Sequence, residues 1–510
     1  MSSSNGLICF TNCLLPLEDG SLVERDLWID ERRGVILDAQ KTFFLRKERP
    51  AKVIDLDGNI LSPGFLDIQI NGAYGFDFSV YEGDDEAYSS GLKTVAEKIV
   101  ETGVTSLLPT TITQEKTLYP KLLKLLRPYS SPNSATLLGW HAEGPFIQYA
   151  KRGAHAPSFL QPAPNGLDSF KEVYGADNLA DAEDWLMTGD HERGLGVRVI
   201  TAAPEVEGVM STITPLTKSG VVFSIGHSLA SSAKALEAVQ RGARLITHLF
   251  NAMPQLHHRD PAIIGLLGAS PHLATSFHPI TAKTPIDTRF GHDLSRAPSL
   301  SAAKQLAAAA EALDEVDTPP MSPEHHAAAG GPLSGVASPL SLGHEDLLAK
   351  REHLTPRPFQ RPYYEMIVDG IHSHPNSVRL AYTAFPEGCI LITDGSSMKI
   401  LDPNLKDGVH EWRDGKRFVK EGDRLYLEGT DTLAGSVVTL DKCVRNFVRF
   451  TGCSLGDSIK CATYNPAKCL GIENRKGTLR AGADADLVVL DRLGHPLQTW
   501  VGGKQVWTKQ

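Results

Sequence analysis

The middle of the chain alternates short apolar runs with amphipathic segments, and this alternation limits the fold more than any other feature. Runs such as Val197-Arg-Val-Ile-Thr, Val221-Val-Phe-Ser-Ile and Cys389-Ile-Leu-Ile-Thr have the length of strands, whereas Gly91–Val100 and Ser231–Val239 carry apolar residues at helical spacing. Near-continuous apolar strands between helices indicate a parallel sheet that is covered on both faces. About seven or eight such units predict an α/β fold of the (β/α)8, TIM-like barrel type.

The two ends of the chain have a different texture. Short strand-like runs such as Leu7-Ile-Cys-Phe and Asp486-Leu-Val-Val-Leu-Asp are separated by Gly and Asp, which is typical of antiparallel β structure. We therefore predict that residues 1–62 and 471–510 form a small β-sandwich domain beside a barrel of residues 63–470.

One segment inside the predicted barrel breaks the alternation. From Gly291 to Pro358 the sequence contains no Phe, Tyr, Trp or Ile, and Ala, Ser, Pro and His dominate. Such a composition buries too little apolar surface to offset the entropy of ordering. We interpret residues 283–358, approximately, as a low-complexity insertion.

Composition and charge indicate which classes of binding partner and which cellular compartment to expect. The 510 residues carry 51 basic and 60 acidic side chains, a formal net charge of −9, which argues against a nucleic-acid partner. The sequence has neither a long apolar run nor the start of a signal peptide, so we expect no membrane association. Seven cysteines without a CxxC pair favour reduced thiols and a cytoplasmic location.

Ionisable residues recur where the apolar runs end. Glu143, His227, His248, His372 and Asp394 each follow a predicted strand. A parallel barrel gathers these strand ends on one face, and a carboxylate with two imidazoles is a sound ligand set for a divalent metal ion. A neighbouring aspartate is placed to shuttle a proton. Each residue alone has an ordinary structural explanation, such as a turn at Asp394-Gly, but the recurrence on successive strands favours a site.

The same residues lie in strings that resemble the N-acetylglucosamine-6-phosphate deacetylase family of the metal-dependent amidohydrolase superfamily. The resemblance covers nearly the whole chain outside the insertion. The matching strings include Lys151-Arg-Gly-Ala-His, Ser224-Ile-Gly-His-Ser, Val368-Asp-Gly-Ile-His and Ile392-Thr-Asp-Gly. The strings most specific to this family are Thr247-His-Leu-Phe-Asn-Ala-Met-Pro and His141-Ala-Glu-Gly-Pro-Phe.

The resemblance implies a role for each matching position. Glu143, His227 and His248 are the implied ligands of one divalent metal ion per subunit, with zinc preferred and iron, cobalt or manganese as alternatives. Asp394 is the implied catalytic acid/base, and His155 orients or polarises the acetyl carbonyl. The implied substrate-binding residues are Ala154, His155, Asn251, Ala252, Arg259, His372, Leu433 and Ala434. The resemblance also implies a homodimer in which Arg259 reaches the phosphate in the neighbouring subunit's site.

One motif departs from the wider superfamily. Many amidohydrolases carry His-x-His after the first barrel strand and bind two metal ions, whereas this chain has Gln69-Ile-Asn71. Neutral amides are poorer zinc ligands than imidazoles. We interpret Gln69 and Asn71 as a remnant of a second metal site and predict one strong site.

The implied reaction is hydrolysis of N-acetyl-D-glucosamine 6-phosphate to D-glucosamine 6-phosphate and acetate by a metal-activated water, a step of amino-sugar catabolism. Two alternatives stay open. One is another amidohydrolase activity, either a cyclic amidase or an N-acyl amine deacylase, although Gln69 and Asn71 count against it. The other is a non-catalytic scaffold, in which the ligand positions would be expected to erode.

Overall fold

The computed structural model describes residues 4–179, 196–270, 360–395, 406–411, 417–422, 424–430, 432–433 and 435–510. The insertion predicted at about 283–358 and the predicted substrate-binding residue Ala434 lie outside these residues.

The described strands, in chain order, are β1 Leu7–Thr11, β2 Leu14–Pro16, β3 Leu22–Glu24, β4 Leu27–Asp30, β5 Val35–Leu37, β6 Lys52–Asp55, β7 Ile60–Pro63, β8 Phe65–Ile70, β9 Gly72–Ala73, β10 Phe76–Asp77, β11 Val104–Ile112, β12 Thr136–Leu137, β13 Trp140–Glu143, β14 Val197–Ala202, β15 Val222–Ile225, β16 Leu245–Ile246, β17 Tyr363–Ile367, β18 Cys389–Ile392, β19 Gly408–Glu411, β20 Arg417–Glu421, β21 Arg424–Leu427, β22 Leu487–Leu490, β23 Pro496–Val501 and β24 Lys504–Thr508. The described α-helices are α1 Asp85–Lys98, α2 Tyr119–Leu125, α3 Leu167–Tyr174, α4 Val209–Lys218, α5 Ser232–Gln240, α6 Pro375–Ala384, α7 Leu440–Thr451, α8 Leu455–Ala462 and α9 Tyr464–Leu470.

Eight parallel strands form the predicted barrel, in the order β8-β11-β13-β14-β15-β16-β17-β18. The ring closes between its first and last strands, because the Asp394 N–H donates to the Gln69 carbonyl at 2.9 Å and the Asn71 N–H donates to the Gly395 carbonyl at 2.9 Å. All nine residues of β11 are buried, as expected for a strand covered by the barrel interior on one face and by helices on the other. The (β/α)8 prediction is confirmed.

The first helix after β8 shows how a helix is capped and packed against the barrel. Asp84 caps α1 by accepting hydrogen bonds from the N–H groups of Glu86 and Ala87 at 2.9 and 3.1 Å, and the helix buries Tyr88 and Val95. These side-chain bonds satisfy amide groups that the first turn leaves without partners. Among the helices that the structure describes, none combines the length and the apolar character needed to cross a bilayer.

The two ends of the chain build a pair of sheets around a core of their own. One sheet has the order β5-β4-β1-β6, and the other has the order β24-β23-β22-β7-β2-β3. Phe10 and Trp500 meet edge to face in this core with ring centroids 5.1 Å apart, beside the buried residues Ile29, Leu61 and Leu487. The predicted sandwich therefore joins both termini, and β7 leads directly into the first barrel strand.

Candidate active site

Three side chains from separate barrel strands converge on one point. Glu143 is the last residue of β13, and His227 and His248 each follow the end of a strand, β15 and β16. Glu143 Oε1 lies 2.9 Å from His227 Nε2 and 3.1 Å from His248 Nε2, and the two imidazole nitrogens are 3.1 Å apart. Atoms at these separations can all lie at the roughly 2.1 Å that separates a metal ion from its nitrogen and oxygen ligands. The predicted ligand set is thus assembled in space.

Hydrogen bonds orient His227 as a ligand. Its Nδ1 lies 2.7 Å from the Lys151 carbonyl oxygen, which only accepts, so Nδ1 carries the proton and Nε2 presents a lone pair. Ligand histidines commonly donate their second ring nitrogen to a carbonyl in this way. A lone pair on Nε2 facing the Glu143 carboxylate is repulsive unless a proton or a cation lies between them. The arrangement therefore fits a bound cation.

The charge balance at Glu143 is that of an ionised ligand. Burial opposes its ionisation, but when His227 and His248 are protonated, their hydrogen bonds and positive charges outweigh this effect, and the pKa of the Glu143 carboxyl lies well below its usual value. The pKa of His248 is raised, because the hydrogen bond and the charge of Glu143 overcome the opposing effect of burial. A negative carboxylate among imidazole nitrogens favours a positive charge at their centre.

His155 also lies beside this cluster, but its hydrogen bonds make it a donor. The Thr113 backbone N–H donates to His155 Nδ1 at 3.2 Å, and the Thr113 hydroxyl lies 2.7 Å from the same atom. Nδ1 is therefore the acceptor, and the proton of a neutral ring is on Nε2, which lies 4.0 Å from Glu143 Oε2. Glu143, His155 and His227 would also suit a metal by proximity alone. His248 is the better candidate for the third ligand, because the contacts at Nδ1 place the proton of a neutral His155 ring on Nε2, the nitrogen nearer the cluster.

Asp394 lies at the closure of the barrel and lines the same cavity as Glu143, His227 and His248. It follows β18, and its Oδ1 accepts a hydrogen bond from Asn71 Nδ2 at 2.9 Å. Burial and the charge of Glu143 raise the pKa of Asp394 to about 6, against the opposing effects of His248, His372 and Asn71. A carboxyl group with a pKa near neutrality is suited to accept and return a proton.

The backbone is strained at three of the candidate site residues. The φ angles of His227, His248 and Asp394 are 47°, 29° and 44°, and those of the adjacent Phe250 and Ala252 are 76° and 52°. Residues other than glycine seldom adopt positive φ angles, and those that do are often found at active sites. The strand ends bend sharply here, which turns the side chains toward the centre of the barrel.

A cavity of about 490 Å³ opens over these residues. Most of the predicted site residues line it, namely Asn71, Glu143, Ala154, His155, His227, His248, Asn251, Ala252, His372, Asp394 and Leu433. Gln69 lies just beneath, fully buried, and donates from Nε2 to Glu143 Oε1 at 3.1 Å. Arg259 is exposed and is not among the lining residues.

His372 is held by an acidic neighbour. Its Nδ1 lies 2.6 Å from Asp369 Oδ2, and Asp369 Oδ1 accepts the N–H groups of Ile371 and His372 at 2.8 Å. Burial opposes ionisation of Asp369, but these hydrogen bonds and the charge of His372 keep the pKa of its carboxyl below the usual value. An ionised Asp369 accepts the Nδ1 proton of His372, which leaves Nε2 for a ligand in the cavity.

Sequence reasoning missed several residues of the site. Lys151 and Arg152 line the cavity, and Thr113 fixes the ring of His155. The two cationic residues stand in the Lys151-Arg-Gly-Ala-His string, so a signal for them existed. Thr113 gave no signal, because its role depends on a contact 42 positions away along the chain.

A larger cavity of about 1140 Å³ lies elsewhere, along the terminal β domain. Its lining includes Glu18, Asp26, Arg25 and Lys460 but no histidine. Among the described residues, no group of side chains suited to a metal ion converges in this cavity, so its size alone does not make it the candidate site.

Comparison with known proteins identifies the family of this chain. Residues 342–507 match the model of the amidohydrolase family. The N-acetylglucosamine-6-phosphate deacetylases of Danio rerio and Bos taurus are 34% and 35% identical to this chain over 504 and 503 residues, covering 98% of this chain and 96% of each relative. A solved structure of the Mycobacterium smegmatis deacetylase, a mutant in complex with N-acetyl-D-glucosamine-6-phosphate, has a TM-score of 0.64 at 21% identity and covers 100% of both chains, which shows a shared fold. The chain belongs to the N-acetylglucosamine-6-phosphate deacetylase family of amidohydrolases.

Proposed function

We propose that this protein hydrolyses N-acetyl-D-glucosamine 6-phosphate to D-glucosamine 6-phosphate and acetate, as a step of amino-sugar catabolism. The observation that carries the proposal is the convergence of Glu143, His227 and His248 within 3.1 Å, with Asp394 and His155 on the wall of the same cavity. Relatives of 34–35% identity that match almost the full chain are named for this activity. No observation favours a cyclic amidase or a scaffold without activity.

Glu143, His227 and His248 would hold one divalent ion, which we propose to be zinc, with iron, cobalt or manganese as alternatives that suit the same ligands. A bound ion of this kind polarises the acetyl carbonyl and lowers the pKa of a water nucleophile to about 7.

The protein's own groups supply the proton transfers. Asp394 accepts the proton of the water that attacks the acetyl carbon, and it then delivers that proton to the amide nitrogen as the C–N bond breaks. His155 donates its Nε2 proton in a hydrogen bond to the carbonyl oxygen, whose negative charge grows in the transition state. The products are acetate and the free amine.

The predicted substrate-binding residues come from several separate segments of the chain. We propose that Ala154, Asn251, Ala252, His372 and Leu433 contact the sugar phosphate, with Ala434 next to Leu433 in the sequence. All of these except Ala434, which lies outside the described residues, line the cavity. Arg259 does not line the cavity of its own chain, and its exposure supports a role in a homodimer, in which it would reach the phosphate in the partner's site.

The Arg259→Ala variant should lose affinity for the phosphorylated sugar. Since a hydrogen bond between charged groups contributes about 1.5–3 kcal/mol, KM for N-acetylglucosamine 6-phosphate should rise roughly 10- to 100-fold, while weak activity on N-acetylglucosamine stays constant. Arg241→Ala, which removes an exposed arginine paired with Glu237, is the matched control. Equal losses on both sugars would remove Arg259 from the phosphate site.

An acetate-release assay tests the activity directly. We expect release from N-acetylglucosamine 6-phosphate that stops when a chelator removes the ion and returns on addition of zinc, with about one ion per chain. Ring opening of a cyclic amide without any acetate release from the amino sugar would support the cyclic-amidase reading, and the absence of both turnover and bound metal would support the scaffold.

We also propose a cytoplasmic location. All seven cysteines are free, and six of them are buried, which suits a reducing compartment. Fractionation of cells that produce the protein checks this.

A further inference from the structure

The Gln69-Ile-Asn71 motif has a defined contact at each end that the proposed mechanism does not use. Gln69 Nε2 donates to Glu143 Oε1 at 3.1 Å, and Asn71 Nδ2 donates to Asp394 Oδ1 at 2.9 Å. Ionised carboxylates only accept hydrogen bonds, so the N–H end of each amide must face its carboxylate. The two amides therefore hold the two carboxylates of the site, one each.

The amide oxygens are not used in the same way. Gln69 Oε1 and Asn71 Oδ1 are buried and have no hydrogen-bond partner among the described residues. These oxygens are the atoms that would bind a metal ion, and the geometry of an amide turns each one away from the carboxylate that its nitrogen contacts. A buried oxygen without a hydrogen-bond partner lowers the stability of the protein. The favourable contacts of the two amides are therefore those that their N–H groups make with Glu143 and Asp394.

The closure of the barrel fixes where the amides lie. The Asp394 N–H donates to the Gln69 carbonyl at 2.9 Å, and the Asn71 N–H donates to the Gly395 carbonyl at 2.9 Å. These backbone bonds set the register of β8 against the segment that follows β18. Asn71 is thereby placed beside Asp394, and Gln69 points into the barrel toward Glu143.

We propose that Gln69 and Asn71 are positioning residues that act as neutral N–H donors where two-metal amidohydrolases place a second cation: Gln69 orients the metal ligand Glu143, and Asn71 fixes Asp394 Oδ1. Oδ2 of Asp394 is then the oxygen that exchanges the proton. This inference deepens the proposed function and rests on it. It assigns separate effects to the two residues, metal retention to Gln69 and turnover to Asn71.

The test compares Gln69→Met and Asn71→Leu, which remove the donors with little change in volume. Outer-shell substitutions of this kind typically cost 10- to 100-fold. Asn71→Leu should lower kcat by roughly 10- to 100-fold, with KM and zinc content unchanged. Gln69→Met should raise the Kd for zinc by roughly 10- to 100-fold, and its kcat at saturating zinc should stay near that of the wild type. The control is Asn178→Leu, which removes a donor to the Tyr174 carbonyl outside the cavity and should change neither quantity.

If these variants fail to fold, Asn71→Asp, which replaces the donor by an acceptor, and Gln69→Leu, which removes the donor without adding charge, serve in their place. They should show losses of the same order. Unchanged kcat in both Asn71 variants, or unchanged zinc affinity in both Gln69 variants, would overturn the proposal. So would two ions per wild-type chain with one in Gln69→Met, since the amide oxygens would then be ligands. Zinc titration needs no substrate, so it separates failure of this inference from failure of the proposed activity.

Discussion

Asp394→Asn should reduce turnover of N-acetylglucosamine 6-phosphate by roughly 10²- to 10⁴-fold, the usual contribution of a general acid–base group. An asparagine side chain cannot accept the water proton or return it to the leaving nitrogen. It keeps an oxygen that can accept the hydrogen bond from Asn71, so the local geometry should survive. Rates from acetate release, together with zinc content by elemental analysis, measure the effect.

Zinc content should be unchanged in this variant, because Asp394 is not among the three proposed ligands. Substantial residual turnover would refute the proton-shuttle role, and loss of the ion would instead make Asp394 a ligand.

The pH dependence of the wild-type activity is a second test of the role of Asp394. The group must be ionised to accept a proton, and burial raises its pKa to about 6, so kcat/KM should fall as the pH drops below about 6. A bound cation favours the ionised form and moves this limb to lower pH, never to higher pH. Asp394→Asn should abolish the limb along with most of the activity.

His248→Ala and His155→Ala should separate metal binding from catalysis. His248 Nε2 lies 3.1 Å from both Glu143 Oε1 and His227 Nε2. Loss of a residue that binds the ion directly should weaken zinc binding by more than the roughly 100-fold that is the upper range for residues that only orient a ligand. Turnover should then vanish at ordinary zinc concentrations. His155→Ala should keep the ion, because its Nε2 carries a proton, yet it should lose roughly 10²- to 10³-fold in kcat as a donor to the developing oxyanion.

Zinc titration of the apoprotein followed by single-turnover kinetics distinguishes the two variants. The opposite pattern, with zinc lost from His155→Ala and retained by His248→Ala, would exchange the roles of these two residues. Thermal unfolding of both apoproteins controls for damage to the barrel.

Local sequence patterns correctly predicted the strands of the barrel. The runs around Val222 and Cys389 became β15 and β18, and the residues that follow such strands reached the reactive face. Strand length, apolar content and the position of polar residues at strand ends are properties of short windows, so a single sequence carries them.

The same reasoning does not rank polar residues within one strand. His141 lies two residues before Glu143 but is buried below the cavity, with Nδ1 3.0 Å from the Ile68 carbonyl and Nε2 2.8 Å from the Thr201 hydroxyl. Burial lowers its pKa to about 4, so it is a neutral structural histidine. Because His141 and Glu143 lie on the same face of β13, the strand pattern alone allowed either residue to line the site. The packing of the barrel places Glu143 at the cavity and His141 beneath it.

The sequence by itself determined the barrel, the terminal sandwich and the identity of the groups that can bind a cation and move a proton. The tertiary structure decided how each group is held: the Lys151 carbonyl fixes the tautomer of His227, the Thr113 N–H makes His155 Nδ1 an acceptor, and barrel closure sets Asn71 against Asp394. The physical reason is that a hydrogen bond between residues 42, 76 or 323 positions apart leaves no periodic trace in the chain. It exists only once the strands have closed and the distances are fixed.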